Sequence, residues 1–342
     1  MAKVLVSGAG GYIGIPLCRK LLDQGHELVA LDRYFFGKNR LADLSLNPKF
    51  KMVVDDIRTF DPSILKDVEI VLDLAGLSND ASAEIDPSLT QSINCDGGKR
   101  LARVAKEAGV RRYVYSSSAS VYGQGVQNNL TETDECRPQT LYAESKLRVE
   151  EELNKLVGGG FEPVIFRTST VFGLSPRMRF DLAINIMTLR AWKERVVYIM
   201  GGGEQWRPFI HLNDVVRAFV LGTELPADKV SGQTFNLGSD DMVFQIGKLA
   251  QFVLDVIPNV TVHRIPDDAD KRTYNVSFTK IREQLGFNTQ TRIHEGVVEI
   301  KQALERGTTD GDDPTNYTLQ WYRSLIDWQK RIEELSMDGK VL

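Results

Sequence analysis

The chain has 342 residues, 42% hydrophobic and 26% charged, a globular balance that excludes a disordered or fibrous chain and leaves room for two domains or one large α/β unit. Lys and Arg number 42 against 46 Asp and Glu, a formal charge of −4 without the basic excess of a nucleic-acid binder. Three widely spaced cysteines, Cys18, Cys95 and Cys136, and four scattered histidines, His26, His211, His263 and His294, supply neither a disulfide framework nor a metal-ligand spacing.

In chain order, short apolar runs alternate with helical spacing. Lys3–Ser7 reads as a first strand, Gly11–Asp23 as a helix, and Glu27–Asp32, Phe50–Val54 and Ile70–Leu74 as further strands. Asn94–Ala108 reads as a helix stopped by Gly109. Arg112–Ser116 is a fifth strand, Ala143–Val157 a helix and Pro163–Arg167 a sixth strand. This alternation predicts a doubly wound parallel sheet covered on both faces. After Gly173 the pattern breaks into an Arg- and Pro-rich stretch, a glycine loop at 201–203 and a mixed polar segment, Trp206–His211. Helical spacing returns over Leu212–Leu221 and strand character over Gln233–Gly238. We therefore expect residues 1–173 plus about 209–245 to bind a dinucleotide, and 174–208 plus about 246–342 to form a smaller, mixed substrate domain. The segment Tyr317–Leu335, with Trp321, Leu325, Trp328 and Ile332 at helical spacing, predicts a terminal amphipathic helix packed on the body. Ser7 and Gly8 interrupt the first apolar run too early for a signal peptide, and no run approaches the ~20 residues of a membrane span, so a soluble cytoplasmic protein is expected.

Gly8, Gly11 and Gly14, spaced by three between the first strand and first helix, suit a tight turn, close approach of a pyrophosphate and close helix–strand packing. Tyr12 and Ile13 lie within the same loop, at a helix N-terminus that favours anions. Asp32, at the end of the second strand, can accept the adenosine ribose hydroxyls and would repel a 2′-phosphate, which favours NAD over NADP; the adjacent Arg33 is able to hold that phosphate.

Tyr142 and Lys146 stand one helical turn apart. A free phenol titrates near ~10, and a neighbouring ammonium lowers that value by stabilising phenolate. Upstream, Ser116–Ser120 places hydroxyls at a strand end, where one could bond a reacting sugar oxygen. A Tyr-x-x-x-Lys pair alone is common on exposed helices; in register with the glycine loop and the serine strand, chance explains it poorly.

The order of glycine loop, Asp32, serine strand and Tyr142-x-x-x-Lys146 resembles the extended short-chain dehydrogenase/reductase family of nucleotide-sugar epimerases and dehydratases, along nearly the whole chain. The resemblance implies a Rossmann-like sheet, bound NAD, a nucleotide-diphosphate sugar as partner and a homodimer joined through Asn94–Ala108 and Ala143–Val157. It implies Ser118 as catalytic hydroxyl, Tyr142 as acid/base with Lys146 as its partner, and Ser120 where many epimerases have Thr. Asp56 and Ile57 resemble the family's adenine-side pair, Leu74, Ala75 and Gly76 its loop over the cofactor, Asn94 its helix Asn, and Arg207-x-x-x-His211-x-x-Asp214 its diphosphate segment. Asn236 and Gly238 fit its Asn-x-Gly strand.

The stretches Phe172–Asp181 and Asp270–Ser277 resemble a bacterial branch acting on surface sugars, GDP-linked heptoses included. Substrate contacts are expected from Ser78, Thr170, Arg179, Asn185, Arg207 and Arg272. Arg177 belongs to the same arginine cluster, with a solvated surface position as its other reading. Ala119 and Ser120 occupy the place of the dehydratases' acidic pair, which argues against dehydration. The implied activity is C4 epimerisation through a 4-keto sugar. A one-way 4-dehydrogenase or 4-ketoreductase is the alternative, and a non-catalytic NAD-binding regulator is disfavoured by the intact triad.

Overall fold

The computed structural model describes residues 1–123, 129–266, 273 and 275–341. Its first strand, β1 (Lys3–Ser7), turns directly into α1 (Gly14–Asp23) and is followed by β2 (Glu27–Asp32), β3 (Phe50–Val54) and β4 (Ile70–Asp73). A π-helical stretch, Gln91–Gly97, runs into α2 (Gly98–Glu107), then come β5 (Arg112–Ser118), α3 (Leu141–Leu156) and β6 (Glu162–Thr168). A later strand, β10 (Gln233–Leu237), completes a seven-stranded parallel sheet in the order β10-β6-β5-β4-β1-β2-β3. Period-two alternation sends Val4 and Val6 of β1 into one core with Leu17 and Leu21 of α1, while Leu5 enters the other with Leu101 of α2 and Val149 of α3. The strand order reverses between β1 and β4, so their C-terminal ends open a crevice between diverging loops.

Beyond the sheet lie β7 (Thr170–Phe172), α4 (Ala183–Glu194), β8 (Val196–Met200), β9 (Trp206–His211), α5 (Leu212–Glu224) and β10 (Gln233–Leu237). They are followed by β11 (Val243–Gln245), α6 (Ile246–Val256), β12 (Thr261–Ile265), α7 (Ile293–Glu305) and α8 (Thr318–Leu335). A three-stranded sheet, β11-β9-β7, and a two-stranded one, β12-β8, pack with α4, α6 and α7 around Phe172, Ile184, Val197, Phe209, Leu249 and Val297. Trp206–His211 is therefore a strand and not an irregular segment; the polar Arg207 and the ladder-breaking Pro208 hide its alternation. It belongs to the smaller sheet, and the chain rejoins the larger one through α5, whose Val215 and Phe219 pack on it, and through β10.

The terminal helix departs from expectation. Its first turns dock, with Thr318 and Tyr322 buried and Trp321 donating from its indole to the Phe35 carbonyl at 2.7 Å. Further along, Trp328, Ile332 and Leu335 are 51%, 53% and 55% exposed, because the helix runs past the edge of the body. Among the described residues, no helix is long and apolar enough to cross a membrane.

Candidate active site

A single cleft of about 460 Å³ follows the crevice above the sheet and continues between the two parts of the molecule. The glycine loop forms its floor. Gly8 has a φ of +70°, and a Cβ there would lie 2.9 Å from the backbone of Leu74 and Ala75. A Cβ on Gly14 would stand 2.1 Å from the Gly8 carbonyl oxygen. The loop is thus closed down to a backbone wall at the start of α1, the cradle a diphosphate needs. Gly8, Gly11, Tyr12, Ile13 and Gly14 all line the cleft, as do Ile57, Leu74, Ala75 and Gly76. Asn94 brackets the loop after β4 by accepting from Leu77 N at 2.7 Å and donating to Leu77 O at 3.1 Å.

Asp32 stands at the end of β2, accepting from Gly10 N at 2.9 Å and Tyr34 N at 2.6 Å. Burial raises its carboxyl above the ordinary value, and those backbone donors oppose the rise. Arg33 turns to Asp56, 3.0 Å away, and lies over the Phe35 ring. Burial works against ionisation of Asp56, but Arg58 and Arg33 outweigh it and hold the carboxyl at about 2. With Arg33 so engaged and Asp32 lining the cleft, the arrangement suits free ribose hydroxyls rather than a 2′-phosphate.

The opposite wall carries the serine, tyrosine and lysine side chains expected to be catalytic. Along β5 the alternation points Ser116 and Ser118 toward the cleft, while Ser117 is buried and bonds Glu150. Ser118 Oγ accepts from Ser120 N at 3.2 Å and from Ser120 Oγ at 2.9 Å. Thr140 caps α3 by accepting from Ala143 N at 3.2 Å, which starts the helix earlier than its apolar spacing suggests and places Tyr142 in the first turn. Lys146 follows one turn on, its Nζ 5.8 Å from the Tyr142 ring centre. That ammonium is buried. Desolvation pulls it down to about 8, against the raising influence of Asp73 and Glu150. Ser118, Ser120, Tyr142 and Lys146 line one cleft with the glycine loop.

The residues expected to hold substrate divide. Ser78, Thr170, Arg179 and Arg207 line the cleft. Arg179 bonds Asp181 at 2.6 Å, and Asp181 in turn accepts from Asn79 at 2.8 Å. Asn185 does not reach the cleft. Its side chain is fully buried and spent on Gly173 N, the Tyr12 hydroxyl and Arg179 O, so it holds the loop that carries Arg179. Arg272 lies outside the described residues. His211 does not line the cleft either; it caps α5 through Asn213 N and meets Glu299 at 2.7 Å. Burial pushes the Cys136 thiol up to about 11, which leaves it inert.

Several lining residues carried no local signal. Phe35, Phe36 and Tyr322 all border the cleft. Arg177, expected either in the arginine cluster or on the solvated surface, is 1% exposed and lines the cleft. Tyr322 comes from the far end of the chain. Ser116 could have been found from Ser118, since residues two apart share a strand face.

The model described as the NAD dependent epimerase/dehydratase family matches residues 4–238. The chain belongs to this family. A UDP-glucose 4-epimerase of Mycolicibacterium smegmatis is 29% identical over 87% of this chain and 96% of that protein.

 The alignment with that epimerase spans 306 residues. UDP-glucuronic acid decarboxylase 1 of Arabidopsis thaliana is also 29% identical, over 86% of this chain and 68% of that protein. Among solved structures, MoeE5 in complex with UDP-glucuronic acid and NAD is 26% identical with a TM-score of 0.77, over 90% of this chain and all of that one. The UDP-glucuronic acid 4-epimerase of Bacillus cereus shares the fold at a TM-score of 0.81 and 22% identity, over 89% of this chain and 99% of that one. This family member is an enzyme, and NAD is its cofactor.

Proposed function

We propose that this enzyme is a nucleotide-sugar epimerase acting at C4 through a transient 4-keto sugar. The observation that supports the reading is the convergence of Ser118, Tyr142 and Lys146 on the cleft that holds the glycine loop. When bound, NAD supplies a reversible hydride acceptor. Tyr142, as phenolate, removes the proton of the C4 hydroxyl, and the Lys146 ammonium stabilises that phenolate. Ser118 donates its hydroxyl hydrogen to the sugar oxygen as its charge develops, and Ser120, by donating to Ser118, leaves that hydrogen free for the sugar. Once the C4 carbonyl has formed, rotation of the sugar presents its other face, and Tyr142 returns the proton.

Arg207 and Arg179 are the cations offered to the substrate diphosphate, with Ser78 and Thr170 nearer the sugar. We assign residues 174–208 and those after about 246 to substrate binding, and the sheet with α5 and β10 to NAD. Ala119 and Ser120 supply no carboxylic acid at the position where dehydratases of the family carry one, which favours epimerisation over elimination. The relatives' names make UDP-linked sugars the leading substrates. We further propose a cytoplasmic homodimer, joined through α2 and α3, that serves surface-polysaccharide sugar synthesis.

The test is incubation with UDP-, GDP-, CDP- and dTDP-sugars, followed by NMR of the sugar and absorbance of NADH. A C4 epimer formed without added cofactor supports the reading. Stoichiometric production or consumption of NADH would replace it with a 4-dehydrogenase or 4-ketoreductase. No turnover of any sugar would overturn it.

A further inference from the structure

Arg177 is a buried charged side chain in the cleft wall that none of these roles uses. It is 1% exposed. Its Nη2 donates to Thr318 Oγ1 of α8 at 2.8 Å, its guanidinium lies 3.6 Å over the Phe36 ring, and its Nε finds no hydrogen-bond partner among the described residues. Among the described residues no carboxylate bonds it directly: Asp181 is bonded by Arg179 and meets Arg177 only through Thr318, which donates to Asp181 at 3.1 Å, and Asp32 accepts from backbone N–H groups. A buried guanidinium with an unmade bond at Nε and no carboxylate bonded directly to it is an unfavourable arrangement unless a strong acceptor completes it. Burial, and after it the neighbouring Arg179, pull its pKa down to about 10, against the raising influence of Tyr322 and Asp181.

Its surroundings identify the partner. Two residues earlier, Ser175 donates to the Tyr12 carbonyl inside the glycine loop at 2.8 Å. Phe36 lies four residues beyond Asp32, and the charge of Arg177 acts on that carboxyl. The glycine loop and the end of β2 are the two elements that receive the diphosphate and the adenosine ribose of a dinucleotide. Arg177 is thus reached from the ADP half of the cofactor, while Arg207 stands on the other part of the cleft.

We infer that Arg177 is a cofactor-binding residue whose guanidinium donates to an oxygen of the ADP half of NAD, held in place by Thr318 and Phe36. The sheet domain alone leaves that half open on one side, and the loop after β7 together with α8 closes it. This inference needs NAD binding but not the epimerase reading, and its test uses no sugar.

Calorimetric titration of the full chain, freed of bound nucleotide, with ADP-ribose, ADP and adenosine checks it. Arg177→Met keeps the apolar stem over Phe36 and removes every donor. Its Kd for ADP-ribose is expected to rise about 10- to 100-fold, the range for a hydrogen bond to a charged group. A loss equally large with adenosine places the bond on the ribose; a loss seen with ADP and absent with adenosine places it on the diphosphate. Thr318→Ala, which leaves the guanidinium but frees it, is expected to weaken ADP-ribose several-fold and serves if Arg177→Met does not fold. A merely structural arginine would lower the melting temperature of the ligand-free protein yet leave the further rise produced by ADP-ribose unchanged. That outcome, or ADP-ribose affinity within twofold of the parent in whichever of the two variants folds, overturns the inference.

Discussion

The Lys146 ammonium donates to the Ser116 carbonyl oxygen at 2.7 Å, joining the helix that carries Tyr142 to the strand that carries Ser118. The bond fixes where the cation stands, and its burial sets when the cation exists. With the group pulled down to about 8 by desolvation, the ammonium is present below that pH and lost above it. Activity is therefore expected to fall as pH rises through about 8. Stability runs the other way. A lysine whose folded value lies below its ordinary 10.5 costs stability while charged, and the cost fades as pH rises from about 8 toward 10.5. Lys146→Met should be slower throughout and should lack both trends. A pH–rate profile beside pH-dependent denaturation checks the pair, and an alkaline limb unchanged in Lys146→Met would refute the assignment.

Removing the phenol tests the proton transfer itself. Tyr142→Phe keeps the ring and deletes the oxygen, so kcat should drop by about 10²–10⁴-fold, the usual worth of a positioned acid/base. Binding of ADP-ribose, which needs no phenol, should stay the same by calorimetry. A kcat within tenfold of the parent would remove Tyr142 from the chemistry.

How far these residues could be read before folding depends on how local their signals are. The glycine loop, Asp32 and the Tyr142–Lys146 pair each lie within one strand–loop–helix unit, so spacing alone brought them forward, and they share a cleft. The parallel sheet was legible for the same reason, since each strand carries its own apolar run. Trp206–His211 was not, because Arg207 and Pro208 break the alternation of an otherwise buried strand. Tyr322 reaches the cleft only through contacts between distant parts of the chain, and no sequence period reports those. Arg177 stood out within its arginine cluster, but its burial over Phe36 depends on the same distant contacts. Asn185, expected to contact substrate, is a polar residue near the arginine cluster whose hydrogen bonds go to Tyr12, Gly173 and Arg179, which spacing does not reveal. The apolar stripe of the last helix was legible as a stripe, but amphipathicity does not say where the body ends, and Trp328 lies beyond it.

The glycine loop makes a steric prediction. A Cβ at Gly14 would sit 2.1 Å from the Gly8 carbonyl oxygen and 2.8 Å from the Ala9 backbone, neither of which is a flexible side-chain end. Gly14→Ala must therefore push α1 away from the loop. We expect a stability loss of about 1–3 kcal/mol, as for other overpacked sites. Loss of NAD retention should accompany it. Urea unfolding and nucleotide content after purification measure the two, and a variant that keeps parent stability and bound NAD would contradict this geometry.

Behind β5, Glu150 and Arg167 form a buried pair, 2.7 Å apart and 3% and 7% exposed at their side chains. Ser117 of β5 donates to the same carboxylate, and Arg167 also bonds the Tyr122 hydroxyl at 2.9 Å. Taking away the carboxylate strands a guanidinium in the core, so Glu150→Met is expected to lose about 3–5 kcal/mol of stability. Adding Arg167→Met should return a good part of it, since the double variant buries no orphaned charge. Glu150 also raises the Lys146 value, so its removal should shift the alkaline limb of activity to lower pH. Chemical denaturation of the two single variants and the double variant, with a pH–rate profile of whichever fold, checks both expectations. Additive losses in the double variant would mean that the pair is not coupled, and an unmoved limb would mean that Glu150 does not govern the charge of Lys146.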